Sequence, residues 1–185
     1  MRPQKVNDEE LLISLTKVFR ERGYEGTSIK ELSDLTGLKK ASLYHRFPNG
    51  KQEMAASVLE YIGKWVADNI FHAFTNEADT YKTRLKNGMF QIRKLYEGGK
   101  NPCILKALST QNGMELFHQS ISKGMKEWVA AFINLGLSME FTKQMAEEKA
   151  IQTLIDIQGS LILSKTLDNA TIFESTLKKI ENRYS

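Results

Sequence analysis

The chain predicts an all-α fold, with a small N-terminal helical domain followed by a larger helical one. Three observations carry this. Pro3, Pro48 and Pro102 are the only prolines in 185 residues, so long stretches lack the residue that breaks a helix. Apolar side chains return every three or four positions, and no stretch keeps up the alternation of a strand. A small polar residue stands three positions before a Glu at the head of several apolar runs, as at Asn7/Glu10, Ser28/Glu31 and Thr171/Glu174.

The first helix is expected from Asp8 to Arg22. Leu11, Leu12, Leu15, Val18 and Phe19 make one apolar face, and Gly23 is placed to end it. The second is short, opened by Ser28 and Glu31, with Ile29, Leu32 and Leu35 as its face and Gly37 as a sharp turn. The third runs from Lys39 to Arg46 or Phe47, where Pro48 closes it. The fourth starts near Gly50 and passes residue 70 on Met54, Val58, Leu59, Ile62, Trp65 and Val66, long enough to serve two sites at once. Further helices are expected over about 79–97, 103–110, 113–135, 140–166 and 170–184. Gly98-Gly99, Pro102, Asn112-Gly113 and Gly136 mark the breaks.

Composition excludes several classes. At 41% hydrophobic and 26% charged the chain is neither disordered nor collagen-like. The lone Cys103 excludes an internal disulfide framework and a multi-Cys zinc site. The longest apolar run, Trp128 to Ile133, is far short of the roughly 20 residues of a membrane span, and no secretory apolar region follows Arg2 and Lys5. The expectation is a soluble protein of a reducing compartment, the cytoplasm, with no membrane partner. No Walker A or dinucleotide glycine motif is present, and no cofactor is expected.

Charge is uneven. Residues 1–51 hold ten Lys or Arg and seven Asp or Glu, a surplus of three out of a net +4. Residues 38–51 carry Lys39, Lys40, Arg46 and Lys51 and no acid. The patch falls on the second of two short helices joined by a glycine turn, the plan of a helix-turn-helix. Ile29, Leu32, Leu38 and Leu43 can form a small core fixing the angle between them, so that the basic outer face projects into a major groove.

Two segments, FRERGYEGTSIKEL over residues 19–32 and TGLKKASLYHRFP over 36–48, followed by Lys51, resemble the N-terminal domain of TetR/AcrR-family transcriptional regulators. The likeness covers about residues 4–64. The Pro48-Asn49-Gly50-Lys51 segment has one residue more than the commoner form, which is similar to the LmrA/YxaF-type branch. The resemblance implies a DNA-binding domain over 4–64 and an effector-binding and dimerisation domain over 65–185. It implies double-stranded DNA as partner, a homodimer, a small hydrophobic effector, and no catalytic or metal-binding residues. Thr27 and Ser28 stand where members contact phosphate, although Ser28 is equally explained as a helix cap. Lys39, Lys40 and Ser42 stand where base edges are read, and Tyr44 where a phenol bonds phosphate. His45 belongs to the same DNA-facing set. Arg46 replaces a common histidine and can still donate to phosphate. Lys51 would pair with a phosphate near a helix start. The mechanism implied is a ligand-released repressor on a palindromic operator.

In the larger domain the last two helices resemble a dimer surface, with Ile151, Leu154, Ile155, Gly159 and Ile162 on one and Phe173, Leu177 and Ile180 on the other. Trp65, Phe90, Met114, Phe117, His118 and Trp128 are the candidates for lining a ligand cavity, although most such residues in helices are ordinary core. Two other readings stay open. Glu115-x-x-His118 and Asp68/His72 sketch an incomplete metal site of an all-helical enzyme or metal protein. A DNA-binding regulator without a small-molecule effector is the other.

Overall fold

A computed structural model describes residues 7–184. Residues 4–6 and 185, at the ends of the two expected domains, lie outside the described residues. The elements are α1 (Asp8–Arg22), α2 (Ile29–Thr36), α3 (Lys40–Arg46), α4 (Lys51–Val66), a π-helical turn (Ala67–Phe71), α5 (His72–Thr75), α6 (Tyr81–Leu95), a 3-10 turn (Glu97–Gly99), α7 (Ile104–Ala107), α8 (Gln111–Leu137), α9 (Lys143–Thr166) and α10 (Thr171–Arg183). None of the described residues is assigned to a strand.

The chain falls into two compact units. Among the described residues, one comprises 7–62 and 104–121, the other 63–103 and 122–184. The grouping is not consecutive, because α7 and the first part of α8 pack with the N-terminal helices. Leu15, Val18, Phe19, Leu32, Leu43, Met54 and Val58 form the first core together with Ile104, Leu108, Phe117 and Ile121. Asn7 caps α1 reciprocally with Glu10, and the N–H of Gly23 bonds the Phe19 carbonyl at its end. Leu35 departs from the expected face of α2. It is 55% exposed, because Ile29 and Leu32 already fill the contact with the first core.

In the second unit the helix after residue 50 is interrupted. The π turn widens the ladder, His72 donates its N–H to the Ala67 carbonyl, and the Asn69 side chain bonds the Trp65 carbonyl at 2.8 Å. Gly113 and Gly136 do not break α8, which contains both. Thr171 and Glu174 do not form a capping box. Asn169 Oδ1 accepts from the Thr171 N–H, and Glu174 pairs with Arg93 at 2.9 Å instead.

α10 is held inside its own unit. Phe173, Leu177, Ile180 and Tyr184 are fully buried, and Arg93 also reaches Glu181 at 2.8 Å while Arg183 pairs with Asp156. The expected assignment of Phe173, Leu177 and Ile180 to a dimer surface is therefore corrected: their stripe is consumed within the subunit. The α9 residues behave differently. Ile151, Ile155 and Ile162 are exposed, Leu154 and Gly159 are half-buried, and Leu163 is exposed beside them.

One close approach fixes the crossing of α5 and α6. A side chain at Gly88 would place its Cβ 2.1 Å from the Phe74 ring. Gly88→Ala must displace that ring from its tilted contact with Phe132, at a cost of about 1–3 kcal/mol typical of overpacked cores. Chemical denaturation should show a lower midpoint for this variant at unchanged slope.

Candidate nucleic-acid interface

The first unit presents a short helix whose inner side is fixed and whose outer side is free of acid. α2 begins at Ser28, whose Oγ accepts from the Glu31 N–H at 3.2 Å while Glu31 Oε2 accepts from the Ser28 N–H at 3.0 Å. It ends where Thr36 Oγ1 donates to the Leu32 carbonyl at 2.6 Å and Gly37 takes a left-handed conformation, φ 67°. Ser33 Oγ donates to the Leu38 carbonyl at 2.6 Å across the turn. Leu32 and Leu43, both fully buried, close the angle.

α3 then carries Lys40, Ala41, Ser42, Tyr44 and His45 exposed, with Lys39 exposed just before it. Lys39 is the N-cap residue, but its side chain makes no capping bond. Its backbone carbonyl accepts from Ser42 and Leu43 at 2.8 and 3.1 Å, so the lysine side chain is spared for the surface. The Tyr44 ring lies against Gly50, where φ is +64° and a Cβ would meet the ring at 3.0 Å. Both the backbone and the ring require glycine there.

Four of the expected contacts are engaged inside the protein. Thr27 is buried and its Oγ1 donates to the Gly23 carbonyl at 2.6 Å. Ser28 is taken up by its capping box. Arg46, half-buried, pairs with the exposed carboxylate of Asp8 at 3.2 Å. Lys51 departs furthest from its expected phosphate role. Its Nζ donates to the carbonyls of Tyr24 and Thr27 at 2.8 and 3.0 Å and lies 4.3 Å from the Tyr24 ring centroid. The helix α4 thereby holds the turn that leads into α2.

A second clamp on that turn has no local signal in the sequence. Glu25 accepts from the Gly113 N–H at 3.0 Å and from Thr110 Oγ1 at 3.3 Å, which places a carboxylate on the first turn of α8. Tyr24 packs edge-on against Phe117 with ring centroids 5.3 Å apart. Burial alone would raise the Glu25 carboxyl. The bonds from Gly113, Thr110 and the Asn112 N–H outweigh it and hold the group below the ordinary carboxylate range.

The candidate cavity residues are not brought together as a set. Phe117 belongs to the first core, and Met114 and His118 are exposed on the same stretch of α8. Phe90 is 62% exposed on α6. Trp65 and Trp128 are the members that fit an interior role in the second unit. Lys94 lies 5.8 Å from the Trp65 ring, and Trp128 stacks with Phe132 and meets Phe71 edge-on. Among the described residues, no group of three or more His, Cys, Asp or Glu is placed to hold a metal ion. No helix among them is long and apolar enough to cross a membrane.

An all-α chain with a basic, outward-facing α3 buttressed by α2 is a helix-turn-helix DNA-binding regulator, and the comparisons agree. Residues 12–58 match the family model for bacterial regulatory proteins of the tetR family. The chain is 28% identical over 167 residues to the HTH-type transcriptional regulator LmrA of Bacillus subtilis, covering 88% of each. It is 29% identical over 168 residues to the uncharacterized HTH-type regulator YxaF of the same organism, covering 88% of this chain and 87% of YxaF. It is 25% identical to IcaR of Staphylococcus aureus, a negative transcriptional regulator of the biofilm operon icaADBC, covering 84% of this chain and 78% of IcaR. A TetR transcriptional regulator from Legionella pneumophila superposes with a TM-score of 0.81 at 17% identity over 99% of both chains. CifR, a TetR-family regulator solved with a 26-bp double-strand operator, superposes at 0.75 and 15% identity over the full length of both. Residues 12–58 match the tetR-family DNA-binding domain, and the chain is a DNA-binding transcriptional regulator similar to LmrA and YxaF.

Because the folded Glu25 carboxyl sits below its unfolded value, its stabilising contribution is present above the unfolded pKa, near 4.3. It is lost as pH falls through the folded pKa. Glu25→Gln should therefore lower the melting temperature at pH 7, and the difference from wild type should shrink as pH falls below the unfolded pKa and close once pH has passed through the folded one, read in a thermal-unfolding series. Lys51→Met should lower thermal stability even without DNA, the readout that separates clamping from phosphate contact.

Proposed function

We propose that this regulator is an effector-released repressor that acts in the cytoplasm and binds a palindromic operator as a homodimer. Residues 4–64 do the DNA binding, and residues 65–185 bind the effector and form the dimer. The observation that carries the reading is the acid-free outer face of α3, with Lys39, Lys40, Ser42, Tyr44 and His45 exposed on a helix locked by Leu43. Lys40 and Ser42 reach base edges, while Tyr44 takes phosphate. The similarity to IcaR supports repression, and the operator-bound CifR structure supports the mode of DNA binding.

The dimer reading rests on α9. Ile151, Ile155 and Ile162 recur at helical spacing as an exposed aliphatic ridge, with Leu154 and Gly159 alongside, and a monomer rarely leaves such a ridge in water. Two copies of α3 held about 34–36 Å apart would enter successive major grooves on one side of the duplex. An effector that prefers a conformation with a different spacing draws the population off DNA through its differential affinity alone.

Selection of bound fragments from genomic DNA, followed by titration, tests the reading. A palindromic site should emerge whose affinity falls steeply with salt. On that site Lys40→Ala should lose about 1–3 kcal/mol of preference at one base position, whereas Tyr44→Phe should weaken all sequences alike. Ile155→Glu should give monomers by light scattering with helical content unchanged, because the side chain is exposed. A dimer that persists moves the interface away from α9.

A further inference from the structure

We propose that Ala41 is a base-reading residue of α3, its methyl group packing on the C5-methyl of a thymine in each half of the operator. This rests on the operator reading above and names one base that the site selects. α3 runs from Lys40 to Arg46 and is anchored by the fully buried Leu43. Successive side chains of an α-helix are turned by about 100°. Counted from Leu43, positions 41 and 45 fall within about 20° of the opposite side, whereas 42 and 44 stand at about a right angle to it. Ala41 and His45, both exposed, therefore form the crest of the helix. The crest is the line that goes deepest when the outer face enters a major groove.

Ala41 is a gap in that crest. Its neighbours on the helix surface one turn along, Tyr44 and His45, are both larger. A side chain three positions on in a helix leans back over the earlier residue. The Tyr44 ring is instead held against Gly50, where a Cβ would meet it at 3.0 Å. The methyl of Ala41 is left open on the outer face, between polar side chains. The thymine methyl is the one apolar group that base pairs present in the major groove, and an alanine methyl is its complement. So short a side chain also lets the helix backbone come close to the groove floor. Helix propensity alone favours alanine too. The two explanations part on the DNA, because propensity gives no preference for a methylated base.

Deoxyuridine substitution in the selected operator tests this, because it removes the thymine methyl and keeps every hydrogen-bonding group of the base. Each thymine of one half-site is replaced in turn, and Kd is measured by fluorescence anisotropy at constant salt. One position should weaken wild-type binding about fourfold, the worth of one buried methyl-sized group. In Ala41→Gly that position should respond no more than the others. The ratio of the two Kd values is taken within each variant, so a loosened α3 cancels. Ala41→Val, which fills the gap, should reverse the sign and bind the deoxyuridine site more tightly than the thymine site. The salt dependence of binding should be unchanged in both variants, since no phosphate contact is removed.

A half-site without thymine, or one in which no deoxyuridine weakens binding, overturns the proposal. So does a sensitive thymine that stays sensitive in Ala41→Gly. A selected site that lacks a palindrome overturns the dimeric operator reading instead and leaves the thymine result standing, because one half-site carries it.

Discussion

The turn between α1 and α2 is the constraint on which the DNA-binding unit depends. Residues 23–27 are held by few backbone bonds of their own, Gly23 N–H to the Phe19 carbonyl and Thr27 N–H to the Tyr24 carbonyl, and two side chains add to them. Lys51 at the head of α4 donates to the Tyr24 and Thr27 carbonyls, and Glu25 from the turn accepts from the head of α8. Both interactions are charge-assisted, the stronger kind, and Glu25 meets a helix start, where backbone N–H groups lack partners within the helix. Ser28, the cap of α2, follows Thr27 directly, so the clamp fixes where α2 begins. α3 inherits its position through Leu32 and Leu43.

The exposed face of α3 is a consequence of this rigidity. A helix of seven residues has too little internal bonding to persist alone. It survives because Leu43 is fully buried and Phe47 is partly so, which leaves the remaining side chains nowhere to go but outward. That Lys39 replaces a capping side chain sharpens the outcome. The helix gives up one bond at its start and gains a cation at the edge of the surface.

The sequence made the helices legible because their signals are local. Caps at Asn7 and Ser28, glycine at 23 and 37 and the proline at 48 act within four residues, and α1 to α3 end where those residues say they should. What the sequence hid is long-range. Glu25 and Gly113 are 88 positions apart, and nothing near either residue marks the bond. The last two helices show the same limit from another side. Periodicity shows that α9 and α10 each have an apolar stripe, but not which stripe the fold covers. The stripe of α10 is closed by its own unit, helped by Arg93 reaching Glu174 and Glu181, and the ridge of α9 is left over. For the same reason the aromatic residues chosen as cavity lining divided between core and surface.

The arginines of the second unit make a graded series that bears on its chemistry. Arg93 has two carboxylates and Arg183 has Asp156 with Thr153 beside it. Both are more exposed than Arg84, which bonds a lone backbone carbonyl. If burial alone set the pairing, the order would be reversed, since the cost of an unmatched charge grows as water is withdrawn. The terminal nitrogens of Arg84 keep contact with solvent, so water meets the charge that carboxylates meet at Arg93 and Arg183.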